Sequence, residues 1–316
     1  MTTEHPIIVG VDFSPGSRSA LEQAVRIAKL TGRPIRAAHV IDRLVLEDLQ
    51  EAVPALAPTL EADLVADART AWARLTAGLA DARGVEIDVV IEHLLAGMLR
   101  LAGTAAGTLL VLGASGERAP DVGPGTLATA CVRKSPANVL LVRSNHVGPF
   151  RRIVAAIDFS ATSLRALERA ATFAAMDRAE LRVVHIFSAP WRVLHYRAPT
   201  PEIDPDFQRQ YRDALERRLR GAATDACAAH PGLTPICELV DDDHHRGAIA
   251  EHATRVKADL LVLGTRGRTN LRDILIGSTA ERTLETASCS VLAVKPAGFT
   301  HPLAEPAPVR TMKPKF

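Results

Sequence analysis

Residues 264–279 read GTRGRTNLRDILIGST, with glycines at 264, 267 and 277 and two hydroxyl residues, Ser278 and Thr279, directly after the last. Glycine lets the backbone turn sharply and present its N–H groups to a ligand with no Cβ in the way. If Gly277 opens a helix, the free N–H groups of the first turn and the two hydroxyls can grip an anion. Gly264, Gly267, Gly277, Ser278 and Thr279 are therefore a candidate polyphosphate cradle. Arg266 and Arg268 lie inside it, where they either add charge-assisted contacts or stand solvated at the surface. The loop is not a Walker A motif, because no Lys-Ser/Thr follows the last glycine. By itself the spacing fits an ordinary strand-to-helix connection equally well, and the rest of the chain has to decide.

The elements that would position this loop occur twice. IIVGVDFSPGSRSALEQAVRIA (7–28) is matched by IVAAIDFSATSLRALERAATFAA (153–175), and Asp158, Ser160 and His185 each stand 146 residues after Asp12, Ser14 and His39. LLVLG occurs at 109–113 and again at 260–264, 151 residues apart. A shift that drifts so little across a whole unit means one ancestral domain, copied. We expect domains at 1–146 and 150–297, the stretch SNHVGP (144–149) as linker, and a Pro-rich disordered tail over 298–316.

Each copy alternates short apolar runs with longer helical patterns, which predicts an α/β fold with a parallel sheet covered on both faces. In the second copy strands are expected at about 153–157, 181–187, 235–240, 259–263 and 290–294. Ser17 and Ser163 are expected to cap the helices after the first strands. Asp158 then sits at the end of the first strand and Gly264 at the end of the fourth, the sheet edge where such folds bind ligands.

The chain of 316 residues, 47% hydrophobic and 23% charged with a formal charge of +2, is of globular type. It lacks the basic runs of a nucleic-acid binder; Arg151 and Arg152 alone are weak grounds for one. No apolar run is long enough to span a membrane and no leader pattern opens the chain, so we expect a cytoplasmic protein. Its four cysteines show no CxxC spacing and are expected to be reduced.

On these residues the second half resembles the universal stress protein family, whose nucleotide-binding members carry G-x2-G-x9-G-[ST], matched by Gly264, Gly267, Gly277 and Ser278. The likeness extends through IDFS (157–160), VVHIF (183–187), ADLLVLG (258–264) and CSVLAVKP (289–296), and more loosely over 5–143. It implies two tandem doubly wound domains, each a five-stranded parallel sheet of order 3-2-1-4-5, and ATP, with or without Mg, held between the first and fourth strands. Asp158 would face the adenosine, the backbone near Ile186 the adenine, and the glycine loop with Ser278 and Thr279 the phosphates. A fifth-strand edge in each copy would pair with the other, making the monomer a pseudo-dimer, with a homodimer of chains also open.

The first copy departs from this pattern. Only eight residues separate Gly116 from Gly125, and they include Pro120, Gly123 and Pro124. The missing residue is expected to shift the helix start relative to the turn, and proline removes a donor. Asp12, Gly113, Gly116, Gly125 and Thr126 remain as weaker candidates in a degenerate site.

Other residue sets carry less. DDDHH (241–245) has metal-ligand chemistry but reads better as a polar loop, since four spaced ligands cannot be assembled. Ser160, Asp158 and His185 could be drawn as a hydrolase triad, but no G-x-S-x-G elbow supports it. His39 and His185 read as core or sheet-end residues. Trp191, Tyr196 and Phe207 fall in a Pro-rich connection that would pack as core or lid, or line an apolar ligand site. The expectation is a stress-response protein that binds ATP in its second domain and acts through unidentified protein partners, with hydrolysis at most slow. The competing reading is a tandem binding module for a non-nucleotide, lipid-like ligand.

Overall fold

The structure, a computed structural model, describes residues 5–103, 105, 107–114, 124–144, 146, 148–191, 205–242, 245–267 and 276–300. Among them the first copy runs β1 (Ile7–Gly10), α1 (Pro15–Thr31), β2 (Ile35–Asp42), α2 (Arg43–Ala52), α3 (Leu60–Ala77), β3 (Ile87–Glu92), α4 (Leu94–Ala102), β4 (Leu109–Gly113), α5 (Thr126–Lys134) and β5 (Asn138–Val142). The second runs β6 (Arg152–Ala156), α6 (Ala161–Asp177), β7 (Glu180–Phe187), α7 (Pro205–Cys227), β8 (Ile236–Asp241), α8 (His245–Arg255), β9 (Leu260–Gly264), α9 (Ser278–Thr286) and β10 (Ser290–Val294). The strands of the second copy lie within one residue of their expected bounds. Phe207 belongs to α7 rather than to the connection before it, while Tyr196 lies outside the described residues.

One ten-stranded sheet, of order β3-β2-β1-β4-β5-β10-β9-β6-β7-β8, runs through the molecule. Each half has the order 3-2-1-4-5 with parallel neighbours, and the halves meet where β5 and β10 pair antiparallel in the register Val291↔Leu141, Leu292↔Leu140, Ala293↔Val139. Both faces are buried, because successive side chains of a strand point to opposite sides. Ile7 and Val9 enter one apolar cluster with Leu21, Leu167 and Phe150, whereas Ile8 enters the other with Met98, Cys131 and Val154.

The helix starts that matter for the site lie three residues earlier than expected. Ser14 and Ser160, not Ser17 and Ser163, are the N-caps of α1 and α6; their hydroxyls accept from Ser17 N and Ser163 N at 3.2 Å. Pro15 at the first helical position of α1 is the sequence sign of this earlier start. Ser17 and Ser163 instead donate back to the cap carbonyls at 3.0 Å.

Polar contacts reinforce the seam. Arg26 of α1 pairs through both Nη atoms with Asp177 at the end of α6, and Arg133 of α5 pairs with Glu281 of α9. Lys295, just past β10 and 2% exposed, donates through Nζ to Arg133 O at 3.0 Å and to Val132 O, the last turn of α5, where the helix dipole favours a cation. Burial, and then the charge of Arg266, push its pKa down to about 7. A lysine depressed below its unfolded value leaves the native state with fewer protons than the unfolded chain between those two values, so stability should rise with pH from about 7 to about 10.5. In thermal melts the wild type should therefore gain roughly 2–5 °C on a Lys295→Met variant between pH 7 and pH 10. A constant difference would show that the lysine carries no such penalty.

Among the described residues no helix is long and apolar enough to cross a membrane. The cysteines are all free, and burial pushes Cys131 up to about 12 and Cys289 up to about 11, which leaves both as thiols.

Candidate functional site

A cavity of about 400 Å³ opens at the carboxyl ends of β6 and β9, where the connections leave in opposite directions. The residues predicted from widely separated stretches meet here: Asp158, Ile186, Gly264, Arg266, Gly267, Gly277, Ser278 and Thr279 all line it. Arg268 lies outside the described residues. Ser163, Val184, Ile249, Leu263 and Thr265 line it too and were not anticipated as site residues. Val184, Ile249 and Leu263 are indistinguishable in sequence from core positions, and only the topology turns them toward an opening.

The end of β6 is held rigidly. Asp158 Oδ1 accepts from Ser160 N at 3.0 Å, and its own N–H donates to Ser163 Oγ at 3.2 Å. Phe159 between them adopts φ 62°, left-handed backbone that a bulky side chain rarely takes. Its ring packs on His185 at 4.5 Å between centroids, with Arg218 stacked above at 4.2 Å. His185 in turn donates from Nδ1 to Ile157 O at 2.8 Å, tying β7 to the turn after β6. The first copy repeats the device: Phe13 has φ 63° and His39 bonds Val11 O at 2.8 Å. His185 is thus a sheet-end brace and Ser160 a helix cap, and the two do not form a nucleophile and base.

The three glycines of the loop serve different ends. A Cβ on Gly264 would lie 3.0 Å from Thr162 Cγ2 and 3.1 Å from Ser163 N, so its bareness lets β9 pack on the first turn of α6. Gly113 does the same in the first copy, 2.6 Å from the backbone of Gly16. At Gly267 the Cβ would meet Asp158 Oδ2 at 2.8 Å, so this glycine lets the loop lie against the carboxylate. At Gly277 the nearest atom is Thr265 O at 3.7 Å, an ordinary contact. Among the described residues nothing demands glycine there on steric grounds, and Gly277 lines the cavity. Gly277 caps α9 with no side-chain bond among the described residues, so the first turn of the helix borders the cavity together with the hydroxyls of Ser278 and Thr279. One end of the cavity is therefore lined by a helix start and hydroxyl side chains and the other is apolar, walled by Ala156, Val184, Ile186, Ile249 and Leu263.

In the first copy Asp12, Gly113, Gly125 and Thr126 occupy the matching places, while Gly116 and the rest of 115–123 lie outside the described residues. The helix start is not displaced as expected. Gly125 N donates to Ala114 O at 2.8 Å, and Gly277 N donates to Thr265 O at 2.8 Å. The missing residue is absorbed inside the loop because both ends of it are fixed by the sheet. Of DDDHH, Asp243 and His244 are likewise outside the described residues, and among the described residues no three metal-ligating side chains converge.

A doubly wound parallel sheet, written twice, with a glycine loop at its switch point defines the class. The universal stress protein family model matches residues 4–143 and 149–295, and the chain belongs to that family. A universal stress protein of Methanocaldococcus jannaschii is 32% identical over 147 residues, covering 46% of this chain and 82% of the relative. Universal stress protein E of Photorhabdus laumondii is 23% identical over 326 residues, covering 96% of this chain and 98% of the relative. Among solved structures, a universal stress protein from Archaeoglobus fulgidus matches with a TM-score of 0.61 at 17% identity, covering 93% of this chain and 99% of that one. A putative universal stress protein from Pseudomonas aeruginosa matches at 0.59 with 19% identity, covering 93% and 94%. At such identities these structures speak to the fold.

Proposed function

We propose that the second domain, residues 150–297, binds ATP in the cavity between β6 and β9, and that nucleotide occupancy regulates the protein or its partners in a cytoplasmic stress response. The observation that carries this reading is the open face of Gly277 above an uncapped helix N-terminus. It is a cradle that a Cβ would begin to fill, placed where phosphates gain most from backbone N–H groups. The polar end would take the phosphates, the apolar end by Ile186 the adenine, and Asp158 the ribose. Arg266, lining the cavity, adds positive charge beside the phosphates. A regulatory rather than catalytic role is supported by the structural employment of Ser160 and His185. Photolabelling with 8-azido-ATP tests the proposal. Saturable incorporation should map to peptides containing Ile186 or residues 264–279. No saturable labelling, or labelling confined to the first copy, overturns it.

A further inference from the structure

The antiparallel seam brings the C-terminal end of β10 beside the N-terminal ends of β4 and β5, and there the two copies enclose a second cavity of about 910 Å³, distinct from the loop site. Its charge is lopsided. Arg33, Arg165, Arg169 and Lys295 line it, and among the described residues that line it none is acidic. Arg33 is tied by three backbone carbonyls, donating to His5 O at 2.6 Å, Pro6 O at 3.0 Å and Gly107 O at 3.1 Å, and Arg165 donates to Lys295 O at 2.9 Å. None of these four cations has a carboxylate partner among the described residues, although carbonyls orient three of them. Arg165 and Arg169, one helical turn apart on α6, face the same side. Phe173, Met176 and Leu292 supply an apolar wall, and Phe299 closes the cavity beside Lys295, its ring 4.5 Å from Nζ.

Three of these cations are held by carbonyls and Arg169 stands exposed beside them; burial is the first cause of the lowered pKa at both Lys295 and Arg33, and at Arg33 the charge of Arg169 adds to it. Guanidinium groups held in place by carbonyls are suited to phosphate oxygens, which they meet through paired N–H donors. We propose that this interdomain cavity binds a phosphorylated small molecule, its phosphates gripped by Arg165 and Arg169 while Arg33 and Lys295 complete the field. The chain's own residues 301–316 are a poor substitute, because Arg310, Lys313 and Lys315 outnumber Glu305.

Tripolyphosphate titrated calorimetrically into the full chain tests the site without a nucleoside. Saturable binding is expected, weakening as salt rises. In the Gly267→Val background, Arg169→Gln, an exposed change that should leave the melting temperature unaltered, should weaken it about tenfold, and Arg165→Gln with Arg169→Gln should abolish it. Gly267→Val, Arg282→Gln at an exposed position of α9 that does not line the cavity and a chain ending at Thr300 should each retain it. Absence of saturable binding overturns the proposal. So does loss in Gly267→Val, which places the anion in the loop site; equal weakening by Arg282→Gln, which makes the attraction diffuse; or loss on shortening, which places it on the tail. The proposal does not depend on ATP binding elsewhere, since failure of photolabelling at the loop leaves these outcomes unchanged.

Discussion

Gly267→Val is expected to weaken ATP binding by about 10–100-fold, equivalent to about 1.4–2.7 kcal/mol, while changing the unfolding free energy by no more than about 1 kcal/mol. The reason lies in the 2.8 Å that separates a Cβ at this position from Asp158 Oδ2. Asp158 cannot swing freely, because its other oxygen holds Ser160 N at the cap of α6. The loop must therefore retreat, carrying its N–H groups away from the phosphates, or the carboxylate must leave the ribose. Either movement is local to an opening and removes little buried apolar surface, so affinity should suffer and folding should not. Gly277→Ala separates space from strain: among the described residues its methyl meets no atom closer than Thr265 O at 3.7 Å, so a loss of affinity there is expected to report intrusion on the ligand. Equilibrium dialysis with labelled ATP, paired with urea unfolding, reads both quantities. Unchanged affinity in Gly267→Val would mean that the loop does not approach the nucleotide.

Asp177→Ala is expected to destabilise the chain by about 3–5 kcal/mol, the cost typical of breaking a buried ion pair from one side. The Asp177 side chain is wholly buried and receives both Nη atoms of Arg26 as well as Phe150 N at 2.8 Å. Removing it orphans a backbone donor and strands a guanidinium that is itself only 19% exposed, with Gln23 Oε1 at 3.0 Å its remaining side-chain acceptor. Because α1 and α6 belong to different copies, the loss falls on the seam. Replacing both partners with apolar residues, Arg26→Met with Asp177→Leu, should recover most of it, since the stranded charge is then gone. A loss under about 1 kcal/mol in urea unfolding would reduce the pair to the worth of a surface contact.

The duplication, the strands and the convergence of Asp158 with the glycine loop were legible in sequence because each rests on local pattern: repeats, apolar period and glycine spacing. The caps were misread by three residues because DFSPGS offers two serines, and only Pro15 at the first helical position separates them. The unshifted helix start at Gly125 was not legible, because a one-residue deletion can be absorbed anywhere between fixed ends. The cationic cavity was invisible for a different reason. Only residues 165 and 169 share a helical spacing; residues 33 and 295 lie far from them in sequence, and it is the antiparallel direction of the seam that puts all four together.

That seam also bears on how the protein is made. β5, NVLLV, is an almost wholly buried apolar strand whose outer edge is covered only by β10, and β10 begins at Ser290, about 150 residues after β5 ends. At about 5–20 residues per second, a ribosome takes roughly eight to thirty seconds to supply the covering strand. For that interval the first half carries an open, uncharged strand edge, the kind that templates pairing with another chain. Neighbouring nascent chains on one message carry the same edge, so pairing through β5 between chains is the misassembly to expect of this architecture.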